Sequence, residues 1–221
     1  MMPIIGHICG NVIFLAIIFI FGCPQKGWFI MLENTTPVTA APRRVSSVQV
    51  MTKIALCVAF CCVAAYLSFP LPFAPAMVTA LTLALSVTAF VLTPRQTFVA
   101  ILIYIGMGSI GLPVFVGGTA GFGRLFGPTG GYITAWLLAY PVVSLLKGRA
   151  FSFKRYVVAD VIAGMGITYV GGLIQMCLLM HISVAQGLAL AVLPFIPGDI
   201  FKCCIAAFLG VRINRMLVSR G

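Results

Sequence analysis

Residues 50–69 read VMTKIALCVAFCCVAAYLSF, twenty residues with one charge, Lys53. About 20 helical residues cross the hydrocarbon core of a bilayer, and a run this apolar has no polar face to offer water. Five further apolar runs follow, at 77–92, 97–116, 131–146, 156–180 and 199–218. The 221-residue chain is 62% hydrophobic and only 8% charged, with a mean hydropathy of +1.16. A soluble domain keeps about 25% charged residues. Lipid must therefore be the solvent for most of this surface. The sequence predicts an all-α integral membrane protein, a six-transmembrane-helix bundle over residues 50–221.

The breaks between runs are chemically distinct. Pro70, Pro72 and Pro75 make the first turn and Pro94-Arg95 the second; residues 106–131 are glycine-rich, and 147–155 form a basic loop. The last break, 181–198, holds an apolar stretch at 184–193 that is too short to span and is expected to form a short helix.

The net charge of +11 invites a nucleic-acid reading, but the basic residues lie between apolar runs and no nucleic-acid motif accompanies them. Their placement fixes topology instead. With the N-terminal flank of the first run cytoplasmic, Arg43, Arg44, Lys53, Arg95, Lys147, Arg149, Lys154, Arg155, Arg212, Arg215 and Arg220 fall inside, and only Arg124 and Lys202 outside. The positive-inside rule selects this orientation. The chain is expected in the inner or plasma membrane, in contact with anionic lipid, with both ends of the six-helix domain cytoplasmic.

Residues 1–49 form an N-terminal extension. The stretch 4–23 is apolar enough to span, and no basic residue precedes it as a signal peptide requires. Two readings stand: an extra, peripheral transmembrane helix followed by a linker, or a natural start at Met31.

Three acidic residues are present. Glu33 lies in the linker. Asp160 lies near the cytoplasmic start of its run, where the helix dipole favours an acid and a structural role suffices. Asp199 opens the last run at its outer end, with Lys202 on the same face one turn later. Alone, that pair reads first as an N-cap aspartate beside a snorkelling lysine. The glycine block, GLPVFVGGTAGFGRLFGPTGGY at 111–132, falls on the same side of the membrane. Irregular backbone at membrane depth is tolerated where protein buries it or where it lines a cavity. Two unusual features from distant sequence thus converge on a small-molecule site. Its candidates are Asp199, Lys202, Arg124, Tyr132, Gly117, Gly118, Thr119 and Gly121. The eight cysteines lack C-x-x-C spacing and the two histidines are isolated, so no metal site is expected. Ala55 and Ala59, four residues apart, suit a close helix approach and a docking face for a second membrane subunit. No phosphate-binding G-x-x-x-x-G-K-[ST] loop is present, so ATP-driven transport would need an ATPase on another chain.

The glycine block, together with PFIPGDIFK at 194–202, FPLPFAP at 69–75, the Pro94-Arg95 turn and Ala55-x-x-x-Ala59, resembles the BioY family. These are the biotin-specific substrate-binding (S) components of energy-coupling factor (ECF) transporters. The resemblance runs from about residue 53 to 211. It implies a non-enzymatic subunit that captures biotin from outside, without a cofactor of its own. It also implies a transmembrane coupling (T) protein, docked through the alanines, and a pair of ATPase subunits that alone use ATP. On this resemblance Asp199 accepts from ureido N–H groups while Lys202 and Arg124 hold ligand oxygens; backbone around 117–121 and Tyr132 complete the wall. One departure is Leu81 in Thr79-Ala80-Leu81-Thr82, where relatives often carry glutamine. The competing functions are a stand-alone facilitator or proton-coupled importer using Asp199, and a membrane enzyme using Asp199 and Lys202 as acid and base. The enzyme reading lacks a nucleophile–base pair.

Overall fold

Each apolar run becomes helix, with ends set by local chemistry. The computed structural model describes residues 47–70, 77–148 and 151–219. The expectations for the stretch 4–23, the linker and a start at Met31 lie outside the described residues. The chain divides into two compact units, Met1–Thr52 and Lys53–Gly221. In the first, the described residues open a helix in which Thr52 Oγ1 donates to Val48 O. The second contains the bundle.

Helix α1 spans Ser47–Tyr66. Strands β1 (Ser68–Pro70) and β2 (Met77–Thr79) then pair antiparallel, Ser68 opposite Thr79. The run expected to be helical from residue 77 therefore gives its first turn to a hairpin. Thr79 Oγ1 accepts from the Leu81 N–H at 2.7 Å, and α2 (Leu81–Val91) starts there. Helix α3 (Pro94–Ser109) opens with a capping box between Thr93 and Gln96 and with proline in its first turn. It stops well short of residue 116, because Gly111 takes a φ of +107° and Pro113 follows. A 3-10 turn (Val116–Gly118) and the one-turn α4 (Gly123–Phe126) lead into α5 (Gly130–Leu146). Helix α6 is continuous over Phe153–Met180 and contains a π-helical segment, Asp160–Met165. His181, in the left-handed region, ends it. The short helix predicted near 184 is α7 (Val184–Ala191), opened by a Ser183–Gln186 capping box. Helix α8 (Ile196–Ser219) starts three residues earlier than expected, because proline is tolerated in a first turn.

Helices α1 and α6 are long and apolar enough to cross a membrane, and α7 with α8 reach that length and apolarity only taken together, across a bend of 55°. Large apolar side chains point outward, among them Leu138, Ile162, Val170, Ile174, Leu178 and Phe208, as lipid-facing helices require. Inside, Phe90 stacks on Tyr156 with centroids 4.6 Å apart, and Tyr104 packs among Phe115 and Trp136. Helices α5 and α6 meet at backbone distance: a Cβ on Gly131 would collide with the Gly171 carbonyl oxygen. That fixes Gly131 as a packing glycine.

Lys147, read from sequence as a loop charge that orients the chain, also turns inward. Its Nζ donates to the carbonyls of Ala89, Phe90 and Leu92, the free acceptors at the end of α2. Ser144 Oγ donates to Leu92 O as well, at 2.7 Å.

Candidate functional site

A cavity of about 190 Å³ lies between α2, α5, α6, α8 and the glycine-rich loop. Four of the predicted residues, Asp199, Lys202, Arg124 and Tyr132, line it. Asp199 lies within the first turn of α8, not at the N-cap, which removes the capping explanation. Its Oδ1 accepts from Lys202 Nζ at 2.8 Å and its Oδ2 from the Tyr169 hydroxyl at 2.6 Å. This is the one ion pair found among the described residues. Both partners are largely shielded, so the pair is held at fixed geometry and not left to solvent.

Tyr132 donates to Ala191 O at 3.0 Å, tying α5 to the end of α7; its ring packs where a Cβ on Gly172 would sit. Arg124, on α4, lines the cavity with a buried Nε that has no hydrogen-bond partner. The α4 segment is held by Gln175, whose Nε2 donates to Leu125 O (2.8 Å) and Gly127 O (2.9 Å).

Gly117, Gly118, Thr119 and Gly121 do not line the cavity. They shape the turn that presents Phe115 and Val116 to it. Gly117 and Gly118 adopt φ of +72° and +71°, a region side chains resist. Thr119 bridges back to Phe115, and the Gly121 N–H donates to Gly108 O at 2.8 Å. Tyr66 covers this turn and donates to Pro113 O at 2.6 Å. Leu81, the departure noted in the sequence, is fully buried, whereas its neighbours Thr79 and Thr82 line the cavity.

Several lining residues were not singled out from sequence. Trp136 contributes a buried Nε1 without a partner, and Tyr169 fixes Asp199. Cys203, read as a structural thiol, also faces the cavity. Asp160 is the main correction. It is not at a helix start but seven residues into α6, 1% exposed, in the cavity wall. The dipole account of it therefore fails, since that effect fades beyond the first turn.

The apolar helical surface and a largely apolar chamber with a few convergent polar groups define a helical membrane protein built around a small-molecule-sized site. The profile of the BioY family matches residues 35–219, and the chain belongs to that family. The biotin transporter BioY2 of Lactococcus lactis subsp. cremoris is 34% identical over 169 residues, covering 76% of this chain and 91% of its own. The biotin transporter BioY of Thermotoga maritima is 31% identical, covering 77% and 98%. Among solved structures, the S-component for biotin from an ECF-type ABC transporter superposes with a TM-score of 0.71 at 23% identity, covering 78% of this chain and 95% of that one. The fold is thus that of an S-component.

Proposed function

We propose that this chain captures biotin from outside the cell and delivers it as the substrate-binding subunit of an ECF-type ABC transporter. The observation that carries the reading is the cavity itself. It gathers Asp199, Lys202 and Arg124 from distant sequence around an aromatic wall of Phe115, Tyr132 and Trp136. Aromatic faces suit a bicyclic ring and an aliphatic chain. Asp199 accepts from a ureido N–H, and Lys202 and Arg124 hold oxygens, the carboxylate included. The names of the relatives favour the same ligand.

Six helices cross the membrane in this reading: α1, α2, α3, α5, α6 and α8, with residues 50–221 as the biotin-binding domain and 1–49 as an extension. The eleven inside charges support cytoplasmic ends. Helix α2, with 11 residues, is only about 16 Å long, and the β1–β2 hairpin continues its path at the outer side. Ala55 and Ala59 are both exposed on α1, as a docking face for the T protein requires. The chain is a non-enzymatic subunit, and ATP is used by the partner ATPase pair.

Uptake of labelled biotin by biotin-requiring cells tests this. Co-expression with T and ATPase subunits raises uptake, and Ala55→Trp with Ala59→Trp removes that gain while leaving biotin binding intact. Full uptake by the chain alone, abolished by collapsing the proton gradient, would favour the facilitator reading instead.

A further inference from the structure

Helices α2, α5 and α8 run into the cavity from its loop side, and α6 runs out of it. Ser86, Tyr140, Cys203 and Asp160 therefore form its closed end, opposite the loops. At that end Asp160 Oδ1 accepts from Ser86 Oγ at 3.0 Å, while Oδ2 is buried with no N–H or O–H partner, the Cys203 thiol, a weak donor, lying beside the carboxyl. Thr168 Oγ1, one of the residues lining the same chamber, is likewise buried and unpartnered. A buried acceptor left unmade is costly, more so on an acid, and such exceptions in a folded protein call for a reason.

The surroundings look built to hold this carboxyl. A Cβ on Gly164 would press on Asp160 Oδ1, so glycine at 164 leaves the carboxyl its room. Both residues belong to the π-helical segment of α6, and such wide turns recur at functional sites. Ser86 does not depend on Asp160, since its hydroxyl also reaches Thr82 O at 2.9 Å. Asp199 differs: each of its oxygens already holds a protein donor. The largest unmet demand for a donor in the cavity is therefore at Asp160.

We propose that Asp160 is a ligand-recognising residue, its Oδ2 accepting a hydrogen bond from an N–H donor of the captured molecule at the closed end of the cavity. This rests on the biotin reading and deepens it. The ureido ring carries two N–H groups on opposite sides; Asp199 takes one and Asp160 the other. A site that hydrogen-bonds a ligand N–H discriminates strongly against an analogue that lacks it.

The test pairs protein and ligand changes. Biotin and its two mono-N-methylated ureido derivatives are titrated into the purified wild type, Asp160→Asn and Asp160→Ala, with thermal unfolding followed without ligand. The wild type is expected to disfavour both derivatives. Asp160→Ala binds biotin about tenfold to hundredfold more weakly and no longer discriminates against one derivative, while discrimination against the other persists. Asp160→Asn, which keeps an acceptor oxygen, falls between. Unfolding of ligand-free Asp160→Ala occurs at or above the wild-type temperature, because an orphaned acceptor has gone. Two results overturn the proposal: biotin affinity within about twofold of wild type in both variants, or weakened binding with full discrimination against both derivatives, the mark of a structural role. Failure of the wild type to bind biotin overturns the biotin assignment itself, and this inference with it.

Discussion

At the start of α5, Trp136 faces a chamber in which its own Nε1, Arg124 Nε and Asp160 Oδ2 are buried without partners. At the end of the same helix, Ser144 and Lys147 place their donors on the last carbonyls of α2. One helix thus joins a region whose polar groups are matched within the protein to a region where they are not. The end at Ser144 and Lys147 is built for stability. The cavity end carries a cost of roughly 1–3 kcal/mol for each unmatched group, which a ligand with complementary donors and acceptors would offset. Stability and recognition are separated along one helix, so substitutions at its two ends should be separable too.

The largest effect is expected at the ion pair. Lys202→Ala strips Asp199 of its cation and should weaken biotin about hundredfold, measured by titration, with the protein still folded and inserted; Asp199→Asn should act in the same direction. Unchanged binding in both would return the pair to a structural role. Arg124→Ala should cost about tenfold, and Arg124→Lys should recover part of it if charge matters more than the guanidinium fork. Gly164→Ala sharpens the comparison from inside, since the added Cβ pushes chiefly on Asp160: a loss of about threefold to tenfold is expected, with little change in unfolding temperature. At the other end the pattern inverts. Lys147→Met should lower stability by about 2 kcal/mol in thermal unfolding while biotin affinity stays within about twofold. Equal losses of affinity and stability at both ends would break the separation.

The helical class and the approximate helix positions were legible in the sequence, because lipid imposes apolar length and the charges lie in the breaks. The convergence of Asp199, Lys202, Arg124 and Tyr132 on one chamber was legible for the same reason: topology alone puts distant segments on one side. What escaped followed from features without a sequence period. Strand pairing shortened α2, and nothing in the run from Met77 to Thr79 distinguishes its apolar residues from a helix start. The glycines at 117–121 were legible as irregular backbone, but whether such a loop touches the cavity or only shapes Phe115 and Val116 depends on packing. Asp160 looked like a dipole acid because its run appeared to begin at Tyr156; with α6 starting at Phe153 and widening into a π turn, the carboxyl is carried into the chamber. Lys147 looked like a topological charge because a capping role depends on the end of a different helix. Tyr169 and Trp136 sit in apolar runs, where an aromatic residue is as readily core as cavity wall.

The central claim is that this cavity holds biotin, and calorimetric titration of biotin into the detergent-purified chain, with lipoate and riboflavin as controls, tests it most directly. The account predicts saturable binding of biotin alone, with one molecule per chain. Absence of heat with biotin, from protein shown to be folded and free of co-purified ligand, or equal binding of all three compounds, would contradict it.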